Sequence, residues 1–213
     1  MVEVTTFCTG CRACEKICPK HCISMKPDSE GFLYAEIDQS LCVDCGACRK
    51  TCPQNLKVVN DSPLKIYALR SNDDKLLKKS ASGGVFAVAA MFVIQNGGVV
   101  FGAAYDKNMC VKHIKVDCET DLWKLQNSKY VQSDTGDTYV EVKQLLENGI
   151  TVLYSGTPCQ IAGLKRFLKR DYDNLFSMDI VCHGVPSPKI FAKYIEWQSK
   201  RLGESVVYCK FRD

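Results

Sequence analysis

The cysteines of this chain are numerous enough, and close enough together, to bind metal or take part in redox chemistry. Nine of the 14 cysteines lie within the first 52 residues, and five of them fall in the segment CTGCRACEKICPKHC, which begins at Cys8. Thiols this close together could form disulfides, bind zinc or hold iron–sulfur clusters. These three alternatives imply different compartments and different chemistry.

An internal repeat distinguishes between the alternatives. The spacing C-x2-C-x2-C-x3-C occurs twice, displaced by 34 residues, and the two runs are followed by Pro19 and Pro53. Zinc sites use separated pairs of cysteines that close one tetrahedron. Three cysteines at successive two-residue gaps instead wrap around one cubane and leave the fourth to reach elsewhere, as in bacterial ferredoxins. The repeat therefore predicts two 4Fe-4S clusters.

The fourth cysteine of each run is predicted to serve the cluster of the other run. The first cluster is then held by Cys8, Cys11, Cys14 and Cys52. The second cluster is held in the converse way by Cys42, Cys45, Cys48 and Cys18. Because this exchange of ligands links the two halves, the module is expected to fold only with its metal.

The rest of the composition is that of an ordinary globular protein. The 213 residues are 46% hydrophobic and 24% charged, which suits one or two domains. The start of the chain has no leader pattern, and the most apolar run, residues 85–94, is far shorter than the ~20 residues of a membrane span. We therefore expect a soluble, cytoplasmic protein with no membrane span, in which thiols bind metal.

The net charge gives little reason to expect nucleic-acid binding. The formal charge of +4 would be offset by two clusters, each carrying about −2 together with its four thiolates. Lys and Arg are dispersed, and no basic stripe is interleaved with aromatic residues. We expect no nucleic-acid partner.

After Pro63, a plausible linker residue, the pattern changes to alternating strands and helices. The predicted strands are KIYALR, VVFGAAYD, VKHIKVD, ITVLYSG, LFSMDIVC and SVVYCKF, and a further strand, GFLYAEID, lies between the two cysteine runs. The predicted helices are GVFAVAAMFVIQNGG, ETDLWKLQ, GDTYVEVKQLLENG, CQIAGLKRFLK and PKIFAKYIEWQSKRLG. The pattern predicts an α+β ferredoxin-like two-cluster module at residues 1–60, followed at residues 61–213 by an α/β domain with a largely parallel sheet.

Three loops of the second domain are candidate binding sites, because ligands of such sheets bind beyond the carboxyl ends of the strands. These loops are SASGG (80–84), SGTPCQ (155–160) and CHGVPSPK (182–189). SASGG leads into a helix whose free N–H groups and dipole could hold a phosphate. The other two contain a capping Thr or Ser followed by proline. Plain helix capping is the alternative interpretation of each loop.

The cysteines outside the two runs have less specific patterns. Cys22 stands where the second copy has Leu56, which favours a small buried packing residue over a ligand. Cys159 lies in the first turn of a helix, where the dipole favours a thiolate, and Cys182 ends the next strand. These two could be redox-active, could bind a further cluster or could line a pocket. Cys110, Cys118 and Cys209 are expected to be packing residues. His113 alternates within a strand and is expected at the surface.

Five segments that follow the cysteine runs resemble the beta subunit of coenzyme F420-reducing hydrogenase and its relatives. They are SASGGVFAVAA, SKYVQSD, SGTPCQIAGLK, DIVCHGVPSPKIF and KFRD. The resemblance covers essentially the whole chain. It implies an iron–sulfur flavoprotein oxidoreductase that passes electrons between the clusters and FAD, with hydride exchange to an organic acceptor. It also implies a redox partner, either a ferredoxin or a hydrogenase or dehydrogenase subunit, and a small-molecule acceptor.

The resemblance further implies which residues contact the flavin, although it identifies no catalytic residue. Contacts to the nucleotide would come from Ser82, Gly83 and Gly84. Lys129 and Tyr130 would approach the flavin or its phosphates. The loop near the isoalloxazine ring would comprise Ser155, Gly156, Thr157, Pro158 and Cys159. Relatives generally continue beyond KFRD, so the second domain is expected to be incomplete at its C-terminus. The alternative function is a non-catalytic ferredoxin-like electron-relay subunit without its own flavin.

Overall fold

The protein begins with a small module in which two short helices flank a two-stranded sheet. This computed structural model describes residues 7–55 and 65–211. The module contains helices α1 (Ala13–Ile17) and α2 (Ala47–Thr51), strands β1 (Ile23–Pro27) and β2 (Leu33–Ile37), and a 3-10 turn at Pro53–Asn55. The strands pair in antiparallel fashion, with Ile23 opposite Ile37. The predicted boundary between residues 60 and 61 lies outside the described residues, as does Pro63.

The second part of the chain is built on a four-stranded sheet with the order β4-β3-β5-β6. Its strands are β3 (Val99–Tyr105), β4 (Val111–Val116), β5 (Val152–Gly156) and β6 (Leu175–Asp179). Its helices are α3 (Asp74–Lys78), α4 (Val85–Gln95), α5 (Thr138–Glu147), α6 (Pro158–Leu168) and α7 (Pro188–Leu202). β3, β5 and β6 run parallel, and β4 is antiparallel to β3 at one edge. The prediction of a ferredoxin-like module followed by a largely parallel sheet is confirmed.

Three predicted elements take a different form in the structure. KIYALR and SVVYCKF form no strand, and ETDLWKLQ is a 3-10 helix at Glu119–Lys124. Residues 65–70 are exposed throughout, and Ile66 is 92% exposed. A β-rich composition produces a strand only where a neighbouring strand accepts its hydrogen bonds. None of the helices in the described part of the chain combines the length and apolar character that a membrane span requires.

The sheet separates two apolar layers because successive side chains of a strand point to opposite faces. Phe101 and Tyr154 pack with α5 and α6 on one face, where Leu164 is fully buried. Val100 and Leu153 pack with α4 on the other face. The carboxyl ends of β3, β5 and β6 therefore meet at one edge, where the loops that precede α6 and α7 begin.

A pair of charged residues fastens the cluster module to the sheet. Arg12 has left-handed backbone (φ 63°) within the first cysteine run, and the equivalent residue of the second run is Gly46 (φ 71°). This conformation costs a non-glycine residue about 1–2 kcal/mol. The guanidinium donates two hydrogen bonds to Asp134, from Nε at 2.5 Å and from Nη2 at 2.9 Å. Paired bonds of this kind are stronger and more specific than a single contact, so they offset the unfavourable backbone.

Two further contacts join the module to loops of the second domain. The side-chain oxygen of Gln132 accepts a hydrogen bond from the N–H of Leu33 at 2.9 Å, at the start of β2. Lys189, in the first turn of α7, donates from Nζ to the carbonyl oxygen of Ser29 at 2.7 Å. The turn between β1 and β2 is therefore held by both the 128–134 segment and α7.

Helix α6 closes over the module because it carries a glycine at the contact. A Cβ atom on Gly163 would lie 3.0 Å from Sγ of Cys11 and 3.1 Å from the hydroxyl of Tyr139. In the last turn of the helix, Arg166 donates to the carbonyl oxygen of Lys50 at 2.5 Å. The absence of a side chain at residue 163 thus lets the helix approach a predicted cluster ligand directly.

We expect Arg12→Gly to loosen this attachment while preserving the cysteine loop. Glycine adopts the left-handed backbone without strain but removes the guanidinium. Hydrogen exchange measured by mass spectrometry should increase in β2 and in the 128–134 segment, with iron content retained. Lys169→Gly is the matched control, because Lys169 is exposed and has the same left-handed backbone (φ 64°). Unchanged exchange in Arg12→Gly would show that other contacts fix the module.

Candidate cluster sites and adjoining loops

The cysteines predicted to hold the second cluster line one open pocket. Cys18 comes from the first run, and Cys42, Cys45 and Cys48 come from the second. Apolar side chains, including those of Ile23 and Ile37, complete the walls. The fold therefore brings the fourth cysteine of the first run to the other three, which is the arrangement that the predicted exchange of ligands requires.

The cysteines predicted for the first cluster also lie close to one another. The pKa of the Cys11 thiol is raised to about 11 and that of Cys14 to about 12, chiefly by burial and in part by the nearby thiols of Cys8 and Cys52. Cys52 belongs to the second run, so this group is crossed as well. Metal binding must deprotonate such thiols, which makes cluster assembly dependent on pH.

Each set consists of four cysteine thiols, which is the donor set that a 4Fe-4S cluster takes. Among residues 7–55 and 65–211, no three His, Cys, Asp or Glu side chains converge closely enough to hold one metal ion. A four-iron cluster is larger than an ion, so its four thiolate ligands stand farther apart. The eight predicted cysteines would hold two such clusters, which supply reversible one-electron transfer when bound.

The two sites differ in what surrounds them. Cys11 is buried beneath α6, and the Cys159 thiol lies near enough to contribute to its raised pKa. At the second site Cys45 is exposed, and the neighbouring side chains of Leu41 and Val43 are 54% and 59% exposed. The first set of thiols therefore faces the α/β domain, whereas the second faces outward.

The SGTPCQ loop places Cys159 at the start of α6. Pro158 is the first residue of the helix, and the amide oxygen of Gln160 accepts the N–H of Thr157 at 3.0 Å. This bond satisfies an N–H at the helix start that would otherwise lack a partner. The Cys159 sulfur lies 3.0 Å from Oγ1 of Thr157, so the loop holds the thiol in a defined position.

His113 lies in the interior, so the prediction of a surface position was wrong. It is 6% exposed, because it shares the inward face of β4 with Val111. Its Nε2 is 3.0 Å from the carbonyl oxygen of Ser155, which can only accept, so the ring carries its proton there. Nδ1 then accepts from the hydroxyl of Ser133 at 3.2 Å. The inward register of Val111 was the sequence signal for this burial.

The hydrogen bonds continue from His113 into the SGTPCQ loop. Oγ of Ser133 accepts from Nε2 of Gln160 at 2.9 Å, and Gln160 in turn bonds to Thr157. The His113 ring also stacks on Tyr154, with ring centres 5.3 Å apart. Sequence reasoning missed this buried polar network, which fixes both ends of the loop.

Lys129 and Tyr130, two of the predicted flavin contacts, have other partners in the structure. The Lys129 ammonium donates to the carbonyl oxygens of Lys124 and Gln126 at 2.9 and 2.7 Å, and burial lowers its pKa to about 7. The partly exposed Tyr130 packs edge-on against Phe211, with centres 5.4 Å apart. A phosphate contact from Lys129 would require it to exchange these bonds, so both roles stay predictions.

The three candidate loops lie at one edge of the sheet. The N–H of Ile180 bonds to the carbonyl oxygen of Gly156, which joins the second loop to the chain leading into the third. Gly97 and Gly98 connect α4 directly to β3, so the start of α4 at Gly84 lies near the carboxyl end of β3. The loops thus lie at the same edge of the sheet, as the topology of parallel strands predicts.

The two glycines of SASGG are explained by close packing and by backbone conformation. A Cβ atom on Gly83 would lie 2.5 Å from the carbonyl oxygen of Leu69, and Gly84 has left-handed backbone (φ 78°). Ser82 is exposed. Close packing and helix entry therefore explain both glycines without a ligand, and the phosphate role of the loop stays a prediction.

The remaining cysteines vary in exposure. Cys110 is exposed in the turn between β3 and β4, so its predicted packing role is wrong. Cys118 and Cys209 are partly buried, and Cys182 is exposed at the end of β6. Cys182 is therefore open to solvent.

Comparison with known proteins identifies two matched regions. Residues 7–56 match the 4Fe-4S dicluster domain, and residues 149–213 match the C terminus of the beta subunit of coenzyme F420 hydrogenase/dehydrogenase. A search of curated protein sequences gives no match. A chain of the F420-reducing NiFe hydrogenase complex from Methanosarcina barkeri, in a xenon-derivatised structure, is 22% identical with a TM-score of 0.49. The match covers 67% of this chain and 54% of that one, so the chain spans about half the length of this relative.

We expect serine substitutions of the cluster cysteines to fall into two crossed classes. Cys18→Ser should give the same EPR spectrum as Cys45→Ser, because both would damage the second cluster. Cys52→Ser should match Cys8→Ser, with each variant retaining about half of the roughly eight irons of two clusters. If Cys18→Ser matched Cys8→Ser instead, each run would hold its own cluster.

We expect the His113 ring to stay neutral in the folded protein down to about pH 5.5. Burial lowers its pKa to about 4, below the ordinary value of about 6.5. The unfolded chain therefore binds more protons between these values, so the stabilisation by the network is complete above the ordinary pKa and is lost as pH falls toward 4. Imidazole NMR, assigned by the signal missing in His113→Asn, measures this directly. A ring that titrates near pH 6.5 would contradict the network.

Proposed function

We propose that this chain is an iron–sulfur flavoprotein oxidoreductase or a subunit of one, because residues 149–213 match the C terminus of the coenzyme F420 hydrogenase/dehydrogenase beta subunit and residues 7–56 match a 4Fe-4S dicluster domain. In this role it passes electrons between two 4Fe-4S clusters and an FAD, where a hydride is exchanged with an organic acceptor. The chain supplies the cluster ligands, the nucleotide pocket and the geometry between them.

The observation that carries the proposal is the contact between the first set of cysteines and α6. Cys11 lies against Gly163, in the helix whose first turn holds Cys159. A flavin bound at the SGTPCQ loop would therefore lie close to the first cluster. The loop is held by the His113 network, and a rigid site is favourable because electron transfer depends on a constant separation of the two groups.

The surroundings of α4 support a nucleotide at the same edge. Gly84 precedes the helix, and the N–H groups of its first turn have no partner within the helix. Such groups, together with the helix dipole, favour an anion. Lys78 and Lys79, which end the preceding helix, are exposed and add positive charge to this part of the chain. The SASGG loop is therefore the proposed position of the FAD phosphates.

The second set of cysteines is proposed to exchange electrons with a partner protein. Cys45 is exposed beside the apolar side chains of Leu41 and Val43. A ferredoxin, or another subunit of a hydrogenase or dehydrogenase, could approach the second cluster there. Electrons would then pass through the second cluster before the first, which faces the α/β domain.

A non-catalytic electron relay is the second candidate function. Lys129 is engaged with backbone carbonyls, and the space beside Gly83 is filled by the chain at Leu69. These two contacts favour a protein that holds clusters without a flavin. Anaerobic purification followed by cofactor extraction separates the candidates, because only the flavoprotein would contain FAD.

We expect Ser82→Asp to weaken FAD binding by tenfold or more, equivalent to about 1.4 kcal/mol. A carboxylate at this exposed position would repel a phosphate but suits the start of a helix, so folding should be preserved. Ser82→Asn is the matched uncharged control and should bind FAD nearly as well as the native chain. Flavin fluorescence quenching measures affinity, and the visible iron–sulfur absorbance checks the clusters. Equal affinity in the Asp and Asn variants would exclude SASGG as the phosphate site.

A further inference from the structure

We propose that Cys22 is a tuning residue that raises the reduction potential of the second cluster by donating a hydrogen bond to Cys18. This inference rests on the assignment of Cys18 as a ligand of that cluster. It does not depend on a flavin, so it stands or fails separately from the flavoprotein proposal. It assigns a role in electron transfer to the thiol that the repeat leaves over.

The geometry brings the two sulfur atoms together in an apolar environment. Sγ of Cys22 lies 3.4 Å from Sγ of Cys18, and the two residues are 6% and 7% exposed. They pack in one cluster of buried side chains with Ile23 and Ala35. Both cysteines line the cavity formed by the second set of thiols. Cys22 therefore lies beside a predicted ligand and away from water.

The backbone around Cys22 keeps the thiol in this position. The carbonyl oxygen of Cys22 accepts a hydrogen bond from the N–H of Asp38 at 2.8 Å, just beyond β2. The next residue, Ile23, begins β1 and pairs with Ile37. Because these bonds tie Cys22 and the residue after it to β2 and the chain that follows, the Cys22 side chain projects from a well-held backbone.

The direction of the hydrogen bond follows from the chemistry of the ligand. A thiolate bound to iron has no proton, so Cys18 can only accept and Cys22 must donate its S–H. The thiolate sulfur becomes more negative when the cluster gains an electron. A donated hydrogen bond then stabilises the reduced form more than the oxidised form, which raises the potential. The apolar surroundings strengthen the effect, because water does not compete for the bond.

The same effect is not available from the corresponding residue of the first cluster. The position equivalent to Cys22 in the second run is Leu56, which has no proton to donate. The two sequence repeats therefore give the two clusters different potentials through one side chain. The cluster that faces outward receives the donor.

The test is an EPR-monitored redox titration of the whole protein with three substitutions of Cys22. Cys22→Ala and Cys22→Val remove the donor, and Val keeps most of the packing volume. Cys22→Ser keeps a donor of similar size. We expect the potential of the second cluster to fall in the Ala and Val variants and to be largely retained in the Ser variant. The first cluster should be unchanged in all three, with the second identified by the signals lost in Cys45→Ser.

Two outcomes would overturn the proposal. Equal potentials in the native, Ala and Val proteins would show that the thiol has no electrostatic effect, and an equal fall in the Ser and Val variants would show that donation of a hydrogen bond is not what sets the potential. Electron–nuclear double resonance of the native protein gives a second measurement that needs no variant. It should detect an exchangeable proton coupled to the second cluster that disappears in deuterium oxide, and the absence of such a proton would also refute the hydrogen bond.

Discussion

The paired hydrogen bonds between Arg12 and Asp134 determine how the two parts of this protein meet. Arg12 stands between two predicted ligands of one cluster, and Asp134 is tied by its backbone to β4 through Val111 and His113. Burial alone would raise the pKa of the Asp134 carboxyl, but hydrogen bonds from Arg12 and from the N–H of Gly136 lower it, so the pair stays charged. A partly buried pair of this kind adds geometric specificity even where its net stabilisation is modest. The cysteine loop is thereby aligned with the sheet.

The 128–134 segment extends this control over both the module and the loop at the edge of the sheet. Gln132 binds the start of β2, Ser133 binds His113 and Gln160, and Asp134 binds Arg12. Three successive side chains thus position a cluster loop, a sheet strand and the start of α6. The resemblance implies a flavin contact only for Lys129 and Tyr130 of the SKYVQSD motif, and the structure gives the second half of the motif a positioning role. A substitution in this segment would therefore alter the geometry of both proposed cofactor sites.

The two sets of cysteines are unequal in their surroundings, although their sequences are nearly equivalent. Gly163 lets α6 cover Cys11, and Cys159 lies nearby at the start of that helix. The other set opens outward beside Leu41 and Val43, and it alone includes the additional thiol of Cys22. Burial, hydrogen bonds to sulfur and solvent exposure all shift the potential of an iron–sulfur cluster. Because α6 covers Cys11 of one set and the other set opens outward, two sites of similar sequence have different surroundings.

The sequence by itself determined the two-cluster module and the largely parallel sheet, because ligand spacing and strand–helix alternation are local patterns that do not depend on long-range contacts. It also indicated the edge of the sheet where the loops gather. Only the tertiary structure placed His113 in the interior, left KIYALR without a strand and directed the Lys129 ammonium to backbone carbonyls. Each of these outcomes depends on partners that are distant in sequence. The imidazole requires the carbonyl oxygen of Ser155, and a β segment requires a neighbouring strand. The lysine is buried by surrounding parts of the chain. A local pattern holds no information about such partners, so burial and hydrogen bonding across the fold decided them.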